Sequence, residues 1–219
     1  LAEYASVAAV LDAACERFRA RPAFSNMGRT LSYEDVDRLS GHFASYLLNV
    51  LKLKKGDRVA IMLPNILQYP VALFGVLRAG LTVVNTNPMY TGRELKHQLV
   101  DAGASVLVVL DNFAHTVAEV LHETPVRQVV TTGLGDLLGF PKSAIVNFVA
   151  RYVKKLVPDY RIDGAVRFSA YLGTAARYEV EAGDATFVVD VPDPRPGALL
   201  AVGDDVRLDA RVVIHQGAV

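Results

Sequence analysis

The stretch "VVNTNPMYTGRELKHQL" (residues 83–99) passes from an apolar strand through a polar turn into a helix. Thr91 and Glu94 have the T-x-x-E spacing of a capping box, which predicts that the helix begins at Thr91. Ligands of open parallel sheets collect beyond the carboxyl ends of the strands. The polar residues at this strand end are Asn85, Thr86 and Asn87. They are candidates for ligand contact, although a strand, a turn and a capped helix also explain the stretch without a ligand.

Helices and short apolar strands alternate on both sides of this stretch. The periodicity predicts helices at residues 6–18, 30–51, 66–80 and 91–103, and strands at 57–63, 81–85, 105–110 and 127–132. Ser32 and Asp35 form a second capping box. The apolar stripe of the helix that follows comprises Val36, Leu39, Phe43, Leu47 and Val50. Strands rich in Val, Ile and Leu with helices between them are typical of a mostly parallel sheet covered on both faces, so we expect an α/β fold.

The composition changes in the last quarter of the chain. No Lys follows Lys155 and no Asn follows Asn147, and apolar residues alternate with period two around Gly and Pro turns. This pattern is typical of a small all-β segment. We therefore predict an α/β domain at residues 1–158, a linker at 159–170 and a small β segment at 171–219.

Charge and cysteine content exclude some classes of protein. The 219 residues include 23 basic and 23 acidic side chains, so no net charge attracts nucleic acid. Cys15 is the single cysteine, and we expect it to pack as a small apolar residue. The longest apolar run contains Arg78 and is too short to span a bilayer, and no basic leader precedes it. We expect a cytoplasmic protein without a nucleic-acid partner.

The segment "TTGLGDLLGFPKS" (residues 131–143) resembles a phosphate-binding loop only in its glycine content. Its glycines are spaced G-x-G-x-x-x-G, one residue longer than the dinucleotide fingerprint, and no Gly-Lys-Ser/Thr follows. Asp136 would also direct a negative charge toward a phosphate. We interpret the segment as an ordinary loop.

Three potential metal ligands, His115, Glu119 and His122, share one face of a predicted helix. Three ligands on one straight helix rarely close around a single ion. The opposite face is apolar, which favours a solvated role for the polar face. No metal site is predicted, and the histidines elsewhere are too far apart in sequence to define a catalytic residue.

The predicted helix at residues 143–157 is amphipathic and basic. One half carries seven apolar residues: Ile145, Val146, Phe148, Val149, Tyr152, Val153 and Leu156. The other half carries the cations Arg151, Lys154 and Lys155. Such a helix either packs its apolar face on its own domain, which is the commoner case, or lies on a membrane with its cations near the head groups. These three cations are the candidates for contact with a membrane surface.

Several segments together resemble the N-terminal part of bacterial long-chain fatty-acid–CoA ligases, which are adenylate-forming enzymes. They are "GRTLSYEDVDRLS", "LKKGDRVAIMLPN", "YPVALFGVLRAGLTVVNTNPMYTGRELKHQL", "DNFAHTVAEV", "GDLLGFPK" and "VNFVARYVKKLVP". The resemblance implies the N-terminal subdomain of such an enzyme, incomplete here, with Asn85, Thr86, Asn87 and Tyr90 as scaffold beside the substrate site. It also implies a reaction that uses ATP, Mg²⁺ and coenzyme A to convert a fatty acid to an acyl adenylate and then to acyl-CoA.

The chain departs from that family in its later part. The phosphate loop of the type T-[SG]-G-T-T-G-x-x-K-G does not occur in the sequence, and Asp136 stands where a loop beginning at Thr131 would need Lys. No catalytic or cofactor-binding residue can therefore be assigned. Residues 171–219 instead resemble the end of a TOBE domain, the small β-barrel of importer ATPases.

Two functions remain open from the sequence. The first is a truncated or fused part of a fatty-acid–CoA ligase, inactive alone. The second is a non-catalytic binding or membrane-adaptor module that uses the basic helix and the β segment, in which case the protein would be peripheral on the inner membrane. Acyl chain length and oligomeric state are not encoded in any recognisable pattern.

Overall fold

The fold consists of six helices and ten strands among the residues that the structure describes. The structure is a computed structural model that describes residues 4–158 and, beyond them, the backbone of 161–171, 175–182, 185–192 and 205–209. The helices are α1 (Val7–Phe18), α2 (Tyr33–Asn49), α3 (Gln68–Arg78), α4 (Gly92–Ala102), α5 (Ala114–Val120) and α6 (Lys142–Phe148). The strands are β1 (Pro22–Asn26), β2 (Arg29–Ser32), β3 (Arg58–Met62), β4 (Thr82–Asn85), β5 (Val106–Leu110), β6 (Gln128–Thr132), β7 (Arg161–Tyr171), β8 (Ala175–Ala182), β9 (Ala185–Pro192) and β10 (Asp205–Asp209). Short 3-10 turns cover Asp111–Phe113 and Leu121–Glu123, and a π-helical turn, Val149–Val153, continues α6.

The main sheet has the strand order β10-β7-β8-β9-β6-β5-β3-β4. Strands β4, β3, β5 and β6 are mutually parallel, with Val59 opposite Val83 on one side and Val106 on the other. Parallel strands need long crossovers, and α3, α4 and α5 provide them between consecutive strands. The predicted α/β fold with a mostly parallel sheet is confirmed.

Both faces of the parallel sheet are buried, as the apolar strands predicted. Successive residues of β3 point to opposite faces, so that Ala60 and Met62 join one core cluster while Val59 and Ile61 join the other. Helices α4 and α5 cover the first face, and α2 and α3 cover the second. Each fully buried Leu or Val side chain stabilises the folded state by roughly 1.5–3 kcal/mol relative to an exposed one.

Both predicted capping boxes are present. The Thr91 hydroxyl accepts from the Glu94 amide while the Glu94 carboxylate accepts from the Thr91 amide, and Ser32 and Asp35 make the same reciprocal pair. Each cap contributes about 1 kcal/mol to its helix. Gly103 ends α4 with φ +59°, a left-handed conformation that favours glycine.

The second helix begins later than its periodicity predicted. Arg29–Ser32 is not helical but pairs antiparallel with Pro22–Asn26 in a small hairpin that the sequence analysis missed. Gly28 in the turn has φ +71°, which fits a tight hairpin turn. The apolar stripe is also shorter than predicted, because Val50 caps the C-terminal end of α2 and is 39% exposed.

Arg78, which interrupts the longest apolar run, links three helices. Its guanidinium donates to Asp12 Oδ1 on α1 and to Asp37 Oδ1 on α2, both at 2.6 Å. A further bond reaches the Ser40 hydroxyl at 2.9 Å. The Arg78 side chain is only 15% exposed, so these pairs replace much of its lost hydration. The Arg78 guanidinium therefore holds α3 against α1 and α2.

The strands β7 to β10 continue the main sheet. Strand β9 pairs parallel with β6, and β8, β7 and β10 follow in antiparallel order. Residues 161–170, predicted as a linker, have the backbone of strand β7. The described strands form an open sheet and no closed barrel. The division into domains at 1–158 and 171–219 stays a prediction, and much of 171–219 lies outside the described residues.

Candidate functional site

The turn that leaves β4 is held by short hydrogen bonds around Asn85. The Tyr69 hydroxyl donates to Asn85 Oδ1 at 3.0 Å, and Gln98 Nε2 donates to the Asn85 carbonyl at 2.8 Å. The Asn87 side chain accepts from the Met89 amide at 3.0 Å. Asn85 and Asn87 are exposed at this carboxyl end of the sheet. A ligand that needs either carboxamide oxygen would compete with these internal bonds.

The other two predicted scaffold residues face the protein. Thr86 is 4% exposed, and its amide donates to the Ile61 carbonyl at 3.0 Å. Tyr90 packs against the core cluster of α4 and α5. The structure thus brings Asn85, Thr86, Asn87 and Tyr90 into one turn, in which two side chains face solvent. Their role beside a substrate stays a prediction.

A buried polar cluster lies at the carboxyl end of strand β6, which β5 and β3 separate from β4. Its members are Asp111, Thr131, Thr132, Asp136, Asn147 and Arg151. Asp136 Oδ2 accepts from the Gly133 amide at 2.7 Å and from the Thr132 hydroxyl at 2.9 Å. Asp136 Oδ1 accepts from Asn147 Nδ2 at 2.8 Å. The sequence pattern presents Asp136 only as an obstacle to phosphate, and its structural role depends on tertiary contacts.

This cluster does not fit a nucleotide phosphate. The Asp136 carboxylate accepts a hydrogen bond from the Gly133 amide, and backbone amides of this kind are the donors that a phosphate loop offers. The neighbouring Gly135 amide donates to Asn147 Oδ1 at 2.7 Å. Asp136 is 8% exposed, so a phosphate would also meet a buried negative charge. Residues 133–141 connect β6 to α6 as a loop, whereas the ends of the segment 131–143 belong to these two elements, and the absence of phosphate binding stays a prediction.

The pKa of Asp111, one member of the cluster, is raised strongly. Burial, followed by the charge of Asp136, raises its pKa from an ordinary 3.8 to about 7. Arg151 and a hydrogen bond with Thr131 act in the opposite direction. The Arg151 guanidinium lies 3.6 Å from Asp111 Oδ2, with the two side chains 14% and 6% exposed. Near neutral pH this carboxyl group is divided between its neutral and charged forms.

The structure differs from the sequence expectation at Arg151. This residue was expected on the solvent face of a basic helix, but its guanidinium points inward to Asp111. The helix is also shorter than predicted, since α6 ends at Phe148 and gives way to the π-helical turn. Lys154 and Lys155 are exposed, as expected of membrane-surface candidates.

The remaining candidates have ordinary environments. His115 is half-buried with Nε2 3.2 Å from the Thr116 hydroxyl, and His122 is exposed beside Glu123 at 3.9 Å. Within the described ranges no three metal-ligating side chains come together. Cys15 is 4% exposed, and burial followed by the charge of Asp37 raises the pKa of its thiol. In the part of the chain covered by the structure, no helix has both the length and the apolar character to cross a bilayer.

An α/β body with capped crossover helices and a polar strand end defines a class of protein, the open-sheet α/β proteins. Comparison with known sequences then gives the family. The sequence model of the AMP-binding enzyme matches residues 11–189, and the chain belongs to this family. The match extends through β7 and β8 into β9, beyond the predicted boundary at residue 171.

Known ligases are similar to most of this chain. The long-chain-fatty-acid–CoA ligase of Salmonella typhimurium is 47% identical over 190 residues, which is 84% of this chain and 34% of the ligase. That of Haemophilus influenzae is 51% identical over 170 residues, which is 78% of this chain and 30% of the ligase. The chain thus spans about a third of the length of these relatives. The resemblance to long-chain fatty-acid–CoA ligases is confirmed.

Solved structures agree with this assignment. A long-chain-fatty-acid–CoA ligase from Archaeoglobus fulgidus superposes with a TM-score of 0.52 at 27% identity, over 64% of this chain and 29% of that one. A benzoate CoA ligase from Burkholderia xenovorans superposes with a TM-score of 0.53 at 21% identity, over 57% and 25% of the two chains, and supports the fold alone. The predicted incomplete ligase subdomain is therefore confirmed as a fold.

Proposed function

We propose that this chain is part of a long-chain fatty-acid–CoA ligase and does not form acyl adenylate by itself. The relatives that carry this name are 47% and 51% identical to it, which supports the lineage. The sequence lacks the family's T-[SG]-G-T-T-G-x-x-K-G loop, which supports the inactivity, and in the glycine-rich segment 131–143 the Gly133 amide is already engaged by the Asp136 carboxylate. The substrate of the complete protein is a long-chain fatty acid, and its cofactors are ATP, Mg²⁺ and coenzyme A.

The physical reason for inactivity is electrostatic. Adenylate formation develops negative charge on the phosphates of ATP, which must be stabilised by amide donors, a cation and a metal ion. In the described residues the amides of Gly133 and Gly135 are both engaged internally. The sequence offers no other glycine-rich segment with a following Lys. The chain can contribute a wall of the substrate site but not the phosphate contacts.

We expect no fatty-acid-dependent exchange of labelled pyrophosphate into ATP by the 219-residue chain. The full-length Haemophilus influenzae ligase serves as the positive control under the same conditions. A urea transition measured on the same preparation establishes that the chain is folded. Exchange clearly above a no-protein blank would contradict the proposal.

A chimera tests the lineage separately from the inactivity. The matched part of this chain, at 51% identity, replaces its counterpart in the Haemophilus influenzae ligase. We expect the chimera to retain fatty-acid-dependent exchange, because most core contacts are shared at this identity. A chimera that folds with a normal thermal transition but exchanges no pyrophosphate would show that this chain no longer fits a ligase.

The adaptor alternative has weaker support. The relatives named above are ligases and none is an adaptor, and the similarity of residues 171–219 to a TOBE domain rests on sequence pattern alone. The family match through residue 189 weighs against a fusion at residue 171. We therefore propose cytoplasmic location with peripheral membrane contact as a property of a ligase and not as a separate function.

A further inference from the structure

Strand β4 lies at one edge of the main sheet, as the last strand in the described order. It pairs with β3 on one side, and we call its other side the free edge. Natural edge strands carry a charged side chain, a proline or a bulge, which prevents pairing with another chain. The sequence of β4 is Thr-Val-Val-Asn, and its ladder with β3 runs in unbroken register. Within the strand itself, the free edge therefore has none of these three protections.

The hydrogen bonds to β3 determine which backbone groups of β4 point to the free edge. The Thr82 amide donates to the carbonyl of Asp57, just before β3, at 2.8 Å. In a parallel ladder each residue directs its N–H and its C=O to the same side, and successive residues alternate. Val83 and Asn85 therefore direct their backbone groups away from β3 and toward the free edge.

Two backbone groups along the free edge already have partners within the chain. The Asn85 carbonyl accepts from Gln98 Nε2 at 2.8 Å, and the Leu81 amide donates to the Val76 carbonyl at 3.1 Å. Among the described residues, the N–H and C=O of Val83, the N–H of Asn85 and the C=O of Leu81 have no hydrogen-bond partner. Bonded and unbonded groups thus alternate along the free edge in a fixed order.

This order is complementary to itself. If two copies of β4 run antiparallel about a twofold axis at Val83, each Val83 lies opposite the Val83 of the other copy. The two residues can then exchange both N–H···O bonds, as in any hydrogen-bonded antiparallel pair. In the same register Asn85 lies opposite Leu81 of the other copy, so that the unbonded N–H meets the unbonded C=O. The two groups that are already bonded also lie opposite each other, and no internal hydrogen bond has to break.

We propose that the free edge of β4 pairs antiparallel with β4 of a second copy of this chain, which joins the two main sheets edge to edge. The contact is isologous, so it closes as a dimer and does not continue into a filament. On the faces of the joined sheets, Thr82 lies opposite Val84 of the other copy, and β-branched side chains pair well across strands. The inference concerns the backbone of β4 and does not depend on catalysis.

The dimer is expected to be weak. Strand β4 has four residues, so the paired strands alone bury much less than the roughly 1,600 Å² of a standard interface. We therefore expect sedimentation to show a monomer in dilute solution and a growing share of dimer as the protein concentration rises.

Amide hydrogen exchange, measured by NMR at several protein concentrations, tests the pairing residue by residue. We expect the amides of Val83 and Asn85 to exchange rapidly in dilute solution and roughly tenfold or more slowly when the dimer predominates. The Thr82 amide is the internal control, because its bond to Asp57 is present in the monomer. Its protection should be the same at all concentrations.

A substitution on the free edge tests the same contact by charge. Thr82 is exposed, and in the proposed register the two copies of residue 82 are diagonal neighbours on one face. Two lysines at this position repel each other, so Thr82→Lys should weaken association about tenfold. Val10→Lys, at a 41% exposed position on α1, adds the same charge elsewhere and should leave association unchanged. Thermal unfolding of both variants establishes that each is folded.

Three results would overturn the proposal. The first is a monomer at every concentration, and if its Val83 amide is protected, the free edge is covered by another segment of the same chain. The second is a dimer in which the amides of Val83 and Asn85 still exchange rapidly, which would place the interface elsewhere. The third is a folded Thr82→Lys variant that associates as well as Val10→Lys does.

Discussion

Replacing Gly135 with Ala is expected to destabilise the protein by about 3 kcal/mol and to loosen helix α6. A Cβ at Gly135 would lie 2.6 Å from the Ser143 backbone oxygen and 2.9 Å from Asn147 Oδ1. Contacts this short with backbone cannot be relieved by a rotamer change, so α6 must move away. That movement also breaks the bond from the Gly135 amide to Asn147. The cost therefore combines overpacking with loss of a polar anchor.

Gly41→Ala is the matched control, with the opposite expected sign. Gly41 lies inside α2, and the nearest atom to an added Cβ is Arg78 Nη1 at 3.8 Å, an ordinary contact. Ala is favoured over Gly in a helix by about 0.5–1 kcal/mol, so this variant should be slightly stabilised. Urea unfolding followed by circular dichroism measures both. An unchanged midpoint for Gly135→Ala would contradict the close packing of the loop on α6.

Replacing Asp111 with Asn is expected to remove a stability loss that occurs between about pH 4 and pH 7. Burial raises the pKa of Asp111 from 3.8 to about 7, so the folded state keeps a proton that the unfolded state loses near pH 4. Because the folded state binds more protons in this window, stability falls as pH rises and levels off above pH 7. The difference between the two pKa values corresponds to a destabilisation on the order of 4 kcal/mol at alkaline pH, in which the attraction of Arg151 is already included.

The test compares the pH dependence of unfolding in three proteins. The free energy of unfolding of the unsubstituted chain, Asp111→Asn and Asp101→Asn is measured from pH 4.5 to pH 8. Asp101 is exposed on α4, so its substitution should leave the slope unchanged. Asp111→Asn should flatten the slope and be the more stable protein at pH 8 if the buried charge costs more than its pair with Arg151 returns. An identical slope in Asp111→Asn and the unsubstituted chain would show that Asp111 is ionised throughout.

Local sequence patterns predicted those helices and strands whose stability depends on residues close to one another in the chain. The capping boxes at Ser32 and Thr91 need only a side chain and an amide three positions apart, so their spacing was sufficient. The parallel strands were predictable because burial on both faces requires continuous apolar runs. The hairpin of β1 and β2 was not predicted, since "NMGR" contains no Asn-Gly or Asp-Gly signal. The capping box at Ser32 indicates only the helix that follows.

The candidate site was predictable only in part. The strand end at Asn85–Asn87 follows from sheet topology, which the alternation of elements already implied. The buried cluster of Asp111, Asp136 and Arg151 joins residues up to 40 positions apart, counted from Asp111 to Arg151. No periodicity connects such positions. A buried aspartate directly after an apolar strand is the one signal that could have suggested it.

The sequence by itself determined the ligase lineage, the parallel sheet and the capping boxes at Ser32 and Thr91, because these depend on extended similarity and on contacts between neighbours. Tertiary structure alone decided which side of the basic helix faces the protein. Amphipathicity predicts that the apolar half is buried, yet the free energy of the polar contacts at Asn147 and Arg151 turns that half outward. An isolated buried carboxylate such as Asp111 or Asp136 is costly, and a helix that supplies an amide and a guanidinium offsets the cost. The orientation of α6 is therefore set by residues outside the helix.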